Sequence, residues 1–239
     1  MSGNNGLFKT TGVALELKDV VKHYVSGTER VMAVNGISFD VAPGTPIGLV
    51  GVSGCGKSTL LNLVGGVDRP DSGSIMVNGV DVAALREREV EAYRLTRVGF
   101  VFQAYNLIPS LTAIQNVMLP MVMQGDLPPA ARQERAAALL GLVGLSHKSH
   151  KRPDELSGGE QQRVAVGVAL SNDPTIILAD EPTANLDHGH LTTILTLLQE
   201  LSHTYKKSVI VATHDPRVWS RLGTVLKIEE GRVVDGAHP

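Results

Sequence analysis

Residues 51 to 59 read Gly51-Val52-Ser53-Gly54-Cys55-Gly56-Lys57-Ser58-Thr59, which fits the phosphate-loop pattern G-x-x-x-x-G-K-[ST]. The apolar run Ile47 to Val50 before it predicts a buried strand, and Leu60 to Val64 after it predicts the first turns of a helix. Strand, glycine-rich turn and helix in that order make a cradle for anions. Glycines at 51, 54 and 56 let backbone N–H groups turn inward, and the helix N-terminus adds a partial positive charge. Lys57 is then placed to reach β and γ phosphates and Ser58 to take a site on Mg2+, with Ser53, Cys55 and Thr59 completing the loop. The loop alone does not separate a kinase from a GTPase or a motor.

Three further strand ends carry polar groups that make sense around such a loop. The strand Val98 to Phe102 delivers Gln103, whose amide oxygen suits Mg2+ or an attacking water; without the loop it would read as a solvated glutamine. The strand Thr175 to Ala179 ends in Asp180-Glu181. Asp180 would hold Mg2+ through water, and Glu181 would orient or deprotonate the attacking water. The strand Val209 to Thr213 delivers His214 to the same edge, where an imidazole can contact a γ phosphate.

A second helix start lies at Leu156-Ser157-Gly158-Gly159-Glu160-Gln161-Gln162-Arg163. Ser157 suits the N-cap, and Gly158 and Gly159 leave the first N–H groups uncovered by side chains. One nucleotide does not easily need two such ends in a monomer, which points to a nucleotide held by another copy.

Elsewhere the chain reads as support. Residues 1 to 12 have the composition of a loose tail, and Val13 to Val41 that of an antiparallel β layer beside the nucleotide strand. Tyr24 in that layer either stacks on adenine or merely caps the core. Ser74 to Val77 with Asn78-Gly79 predicts a hairpin, and Arg86 to Arg97 a charged helix. From Ser110 to Leu145 the pattern turns helical, with Pro120 expected to kink or end the first helix. Met118, Met121 and Met123 read as core or helix-packing residues, and His147, Lys148, His150, Lys151 and Arg152 as a solvated basic loop. Ala184-Asn185-Leu186-Asp187 links to a helix at Leu191 to Leu201, and Val225 to Val234 predicts a final hairpin.

Composition bounds the class. At 239 residues with 43% hydrophobic content, the chain can bury a large α/β core. Lys plus Arg total 22 against 24 Asp plus Glu, so no basic field is present to hold a nucleic-acid backbone. No apolar segment approaches bilayer length, and the single cysteine, Cys55, fits a reducing compartment; a cytosolic location is expected.

In order and spacing, the phosphate loop, Gln103, the Leu156 to Arg163 signature, Ile176 to Glu181, Ala184 to Asp187 and His214 resemble the ATP-binding-cassette ATPases over residues 13 to 235. The signature is the diagnostic part, since other phosphate-loop enzymes lack it. The resemblance implies a single α/β cassette domain: a RecA-like core with an antiparallel β layer (13–102 and 173–235) and an inserted helical subdomain (104–172). It implies ATP and Mg2+ as ligands, and a head-to-tail homodimer in which one chain's loop faces the other's Ser157, Gly158 and Gly159. It also implies a nucleotide contact at Asp187 and adenine stacking on Tyr24. The segments Gln103 to Thr112 and Asn116 to Pro120 further resemble the lipoprotein-release and macrolide-export ATPases, which implies a separate integral membrane permease and a place on the inner face of the membrane. A cell-division regulator and a soluble iron-sulfur assembly ATPase are the alternatives within the family. Val52 stands where the family commonly has proline, and Gly167-Val168 where it has alanine-arginine, which leaves a weaker signature helix as the expectation.

Overall fold

The computed structural model describes residues 7–10, 12, 14–27, 29–183, 186 and 188–237. Regular structure starts with an antiparallel pair, β1 (Leu15–Ser26) and β2 (Glu29–Val41). Leu15, Leu17 and Val20 on β1 and Val34, Ile37 and Val41 on β2 are buried between wetter neighbours, the pattern of a half-covered sheet. Next come β3 (Pro46–Val50), the phosphate loop and α1 (Lys57–Val64). The hairpin β4 (Ser72–Val77) and β5 (Val80–Asp81) turns on Asn78 and Gly79, at φ 51° and 80°. It joins the first pair as a four-stranded layer in the order β2-β1-β4-β5.

Helix α2 (Glu87–Arg97) runs straight into β6 (Val98–Val101), and three helices follow: α3 (Ala113–Gln124), α4 (Pro129–Leu142) and α5 (Gly158–Ala169). The rest is β7 (Ile176–Asp180), α6 (His188–His203), β8 (Ser208–Thr213), the short α7 (Pro216–Trp219) and the closing hairpin β9 (Thr224–Glu229) and β10 (Arg232–Ala237). These strands form a six-stranded sheet in the order β10-β9-β3-β8-β7-β6, parallel throughout except between β9 and β10.

Both faces of that sheet are covered. Ile47, Leu49, Ile176, Leu178, Ile210 and Ala212 pack towards α1 and the antiparallel layer. Ile177, Ala179, Val209 and Val211 join Val117, Met121, Leu139, Leu140, Val164 and Val166 of α3, α4 and α5 on the other face. This is why the strands read as unbroken apolar runs instead of alternating ones. Because β3, β6, β7 and β8 are parallel, the residues that follow them gather at one sheet edge.

Three local readings need correction. The tail is not loose at Leu7 to Lys9: Phe8 is buried with its ring edge-on to Tyr205 at 5.3 Å. Arg135 donates to the Leu7 carbonyl at 2.6 Å, and the Lys9 N–H donates to Asp173 at 3.0 Å. Helix α3 runs through Pro120 to Gln124, ending at Gly125 with φ 82°. Buried Met121 and the Asn172 amide donating to the Pro120 carbonyl hold that last turn in place. The methionines divide: Met121 is core and Met118 packs against it, whereas Met123 is exposed.

Candidate nucleotide site

The sheet edge carries a cavity of about 520 Å³ lined by Ser53, Gly54, Gly56, Lys57, Ser58, Thr59, Gln103, Asp180, Glu181 and His214, with Val31, Met32 and Ala33 of β2 along its rim. Five separate stretches of sequence thus meet around one space. Gly56 caps α1 with φ 109°, and no side chain competes for the helix's first N–H groups. A Cβ at Gly56 would lie 2.2 Å from the Ala33 carbonyl oxygen, so only glycine lets β2 approach the loop this closely. Lys57 is buried and folds over the loop, donating to the carbonyls of Gly51 at 2.8 Å and Val52 at 3.0 Å. Its ammonium is held at the loop's centre by these two backbone oxygens and, at 3.8 Å, by Cys55 Sγ, which is where a polyphosphate would compete for it.

Asp180 faces the same cavity as Ser58, and burial, with the neighbouring Glu181 charge, pushes its carboxyl above the usual range. Ser58 and Lys57 oppose that shift without cancelling it. Ser58, Asp180 and the nearby amide of Gln103 make an all-oxygen donor set of the kind a small hard cation such as Mg2+ takes. A carboxyl that burial disfavours as an anion would be returned to the anionic form by such a cation.

Glu181 follows β7 with φ 46°, a left-handed conformation costly for a residue with a Cβ. Its N–H stays paired with the Ala212 carbonyl at 2.9 Å, so the turn is imposed while β7 is still bonded to β8. The turn breaks strand alternation, and adjacent carboxylates that would face opposite sides of the sheet both reach its edge. The Glu181 carboxylate is buried and accepts from the Thr213 hydroxyl at 3.1 Å, the His214 N–H at 3.1 Å and His214 Nδ1 at 2.6 Å. Accepting only, the carboxylate assigns the proton to Nδ1, and Nε2 is the imidazole's remaining polar atom.

Tyr24 stands beside this cavity. Its β2 partner Val31 lines the rim, and the residue is 40% exposed, so its ring is open to stacking. Two loop residues expected at the nucleotide, Cys55 and Gly51, are not among the residues that line the cavity. The Cys55 thiol is buried in the cluster between the sheets, close enough to Gly51 that a Cβ there would sit 2.6 Å from Sγ, and the Cys55 N–H is used inside the loop on the Val52 carbonyl. Gly51 contributes its carbonyl to Lys57 and its bareness to the close approach of Ile228, whose oxygen would be 2.3 Å from a Cβ. Asp187, Ala184 and Asn185 lie outside the described residues.

Ser157, Gly158 and Gly159 are not among the residues around the phosphate loop. Ser157 caps α5: its hydroxyl accepts from the Glu160 N–H at 3.3 Å, and the Glu160 carboxylate accepts from the Ser157 N–H at 2.9 Å. Lys148 of the basic loop pairs with Glu160 at 3.3 Å, and Lys151 with Glu155 at 2.7 Å. A glycine-bare helix end is therefore built, and it is not part of the lining that gathers Lys57, Asp180, Glu181 and His214.

The ABC transporter family model matches residues 34–184, from the middle of β2 through the phosphate loop and α5 to beyond Glu181. The chain belongs to the ABC transporter family. Among its relatives, the lipoprotein-releasing system ATP-binding protein LolD of Pseudomonas syringae pv. tomato is 42% identical over 92% of this cassette and 97% of LolD. The macrolide export ATP-binding/permease protein MacB of Hyphomonas neptunium is 44% identical over 92% of the cassette, which spans only 34% of MacB. The dimeric bacterial ABC transporter cassette MJ0796 superposes with a TM-score of 0.90 at 36% identity, covering 94% of this chain and 98% of that one. The same match holds for MJ0796 in a post-hydrolysis state bound to ADP and Pi. Both the α/β cassette fold and the resemblance read from the motifs are thereby established. The Gly167 departure also acquires a reason. A Cβ there would lie 3.2 Å from Val117 Cγ2, so the ABC cassette's α5 packs tightly against α3 at this point.

Sequence reasoning missed Thr213, the second holder of Glu181, and the partners of Tyr24 in the turn after α1. For Thr213 a signal exists, a hydroxyl closing an otherwise apolar strand beside His214.

Proposed function

We propose that this ABC ATPase is the nucleotide-binding subunit of a transporter, working as a head-to-tail homodimer that drives a separate integral membrane permease from the cytoplasmic face. The observation that carries the reading is the separation of two complementary half-sites on one chain. Lys57, Ser58, Gln103, Asp180, Glu181 and His214 converge on one cavity, while the capped, glycine-bare end of α5 stands apart from it. Each half suits the phosphates of one ATP, and two copies related by a twofold axis make two complete sites.

In that site the loop N–H groups and Lys57 hold the phosphates, and Tyr24 supports the base. Ser58, Gln103 and Asp180 hold Mg2+, directly or through water. Bound there, such a cation would supply positive charge against that developing on the phosphates. Glu181 orients and deprotonates the attacking water, its carboxylate kept in place by Thr213 and His214. Ser157, Gly158 and Gly159 of the second copy close over the γ phosphate, and Asp187 contributes next to that junction. The helical segment 104–172 serves as the part that reports this closure to the permease.

No helix among the described residues is long and apolar enough to cross a membrane. The identity to LolD over nearly the whole of both chains favours a stand-alone subunit over the soluble assembly ATPase.

Mixing two inactive variants tests the dimer. Lys57→Ala and Ser157→Arg chains are each expected to be nearly inactive. Their heterodimer has one site with both defects and one with neither, so ATPase activity returns on mixing. Heterodimers confirmed by differential tags yet as inactive as the parents would show that loop and signature act within one chain.

A further inference from the structure

The Tyr24 side chain is not simply an exposed ring on a strand. Its phenol donates to Asp68 Oδ2 at 2.8 Å, and Val31, its partner across β2, lines the cavity together with Thr59 at the end of the phosphate loop. Asp68 lies in the turn after α1, and its other oxygen accepts from Lys22 Nζ at 2.8 Å and from the Arg69 N–H at 2.7 Å. Lys22 also donates to the Arg69 carbonyl at 2.8 Å, and the His23 N–H donates to Asp71 at 2.7 Å. Three consecutive residues of β1 are thus laced to one short turn. The Lys22 ammonium sits 5.2 Å from the Tyr24 ring centroid, a cation–π distance, and the residue is still 40% exposed.

This lacing has little to do with the core. The Asp68 side chain is 33% exposed, and its bonds run to the β1 end and its own turn. What it does restrict is the ring. A half-exposed tyrosine otherwise samples several rotamers and loses that freedom when a base stacks on it. Held beforehand, the ring loses nothing on binding.

We propose that Asp68 is a positioning residue for the nucleotide base: it fixes the plane of the Tyr24 ring beside the phosphate loop and so raises affinity for adenine-bearing nucleotides without touching them. The proposal rests on the reading of Tyr24 as the base platform. It separates two parts of the ligand. Asp68 acts on the base alone, whereas the loop acts on the phosphates.

The test measures dissociation constants of the full-length chain by calorimetry in EDTA, where hydrolysis is blocked, for ATP and for inorganic tripolyphosphate. Asp68→Ala is expected to weaken ATP about three- to tenfold, the cost of ordering one side chain on binding, and to leave tripolyphosphate unchanged. Tyr24→Phe, which keeps the ring and removes the tether, gives a similar loss, and the Tyr24→Phe/Asp68→Ala double variant is no worse than either single one. Asp68→Asn, which still accepts from the phenol, retains most of the affinity. If Tyr24→Ala weakens ATP while Asp68→Ala does not, the platform stands and the positioning role is wrong. Equal weakening of ATP and tripolyphosphate by Asp68→Ala would reduce Asp68 to a structural residue and overturn the proposal. If Tyr24→Ala leaves ATP affinity intact, Tyr24 is not the platform and the proposal falls with it.

Discussion

Two helices of this cassette begin in glycine-rich sequence, and they are built in opposite ways. At α1 the N-cap is Gly56 in a left-handed conformation, no side chain caps the helix, and a buried lysine lies folded over the loop. At α5 the N-cap is Ser157, and a reciprocal box with Glu160 satisfies two backbone groups within the chain. The first end takes its shape from backbone contacts with Ala33 and Ile228 and is surrounded by Ser58, Gln103, Asp180, Glu181 and His214. The second takes its shape from the Ser157 and Glu160 side chains and lies outside that cavity's lining. Under the proposed function, the end that holds phosphate in its own chain is the uncapped one, and the end that meets phosphate on another copy is the one capped in advance.

The sharpest way to break this contrast lies at the first end. Glu181→Gln keeps the shape of the side chain and its contacts with Thr213 while removing a basic oxygen. Turnover should fall on the order of a hundredfold to ten-thousandfold with ATP binding retained. The variant should then accumulate as an ATP-bound dimer, visible by size-exclusion chromatography with ATP and Mg2+. Turnover within twofold of wild type would remove Glu181 from the reaction and leave the cavity without its proposed base.

At the second end the expected effects are those of a cap. Ser157→Ala should cost about 1 kcal/mol of stability, or roughly 2–4 °C in melting temperature for a chain of this size. Glu160 adds a pH signature. Burial opposes it, but the Ser157 N–H above all, and then Lys148, hold its carboxyl below the ordinary 4.5. Because the folded carboxyl is the stronger acid, its contribution is present above about 4.5 and is lost as pH falls through the lowered folded value. The difference in melting temperature between wild type and Glu160→Gln should therefore shrink below that pH. A difference that stays constant from neutral pH to well below it would mean that the box contributes nothing to the folded state.

What sequence made legible follows the same division. Strands, hairpins and both helix starts declared themselves, because apolar runs, Asn78-Gly79 and the glycine clusters are local signals. Contacts across long sequence separations did not. Glu181 reads as one of two acidic residues, and nothing local says that a left-handed turn sends it to Thr213 and His214. Phe8, a single aromatic in a polar stretch, has no periodicity, so its burial against Tyr205 could not be read. Pro120 carried a real signal for ending a helix, but buried Met121 on the following position outweighed it. Cys55 could be placed in the loop but not oriented, since side-chain direction in a turn is set by what packs behind it, here Ile228 and Gly51.

The smallest expected effect sharpens the comparison within α5 itself, between its exposed start and its packed body. Gly167 lies on the body, where alanine would normally stabilise a helix by about 1 kcal/mol. Here the new methyl would approach Val117 Cγ2 to 3.2 Å, and Val117 is a fully buried, β-branched residue on α3 with little rotamer freedom. Relief requires α3 and α5 to part by a few tenths of an ångström, and overpacking a tight core costs about 1–3 kcal/mol when nothing gives. With one methyl pair involved, the cost sits at the low end and offsets the propensity gain. Gly167→Ala should therefore leave the melting temperature within about 2 °C of wild type, and, since Ser157 and Glu160 lie two turns or more away, leave the cap and the ATPase rate unchanged. A clear rise in melting temperature would show that α3 yields freely and that the glycine is only a weak point in the helix. A fall in the ATPase rate with stability unchanged would show that the packed body of α5 sets how its exposed end is presented, and the two parts would no longer be separable.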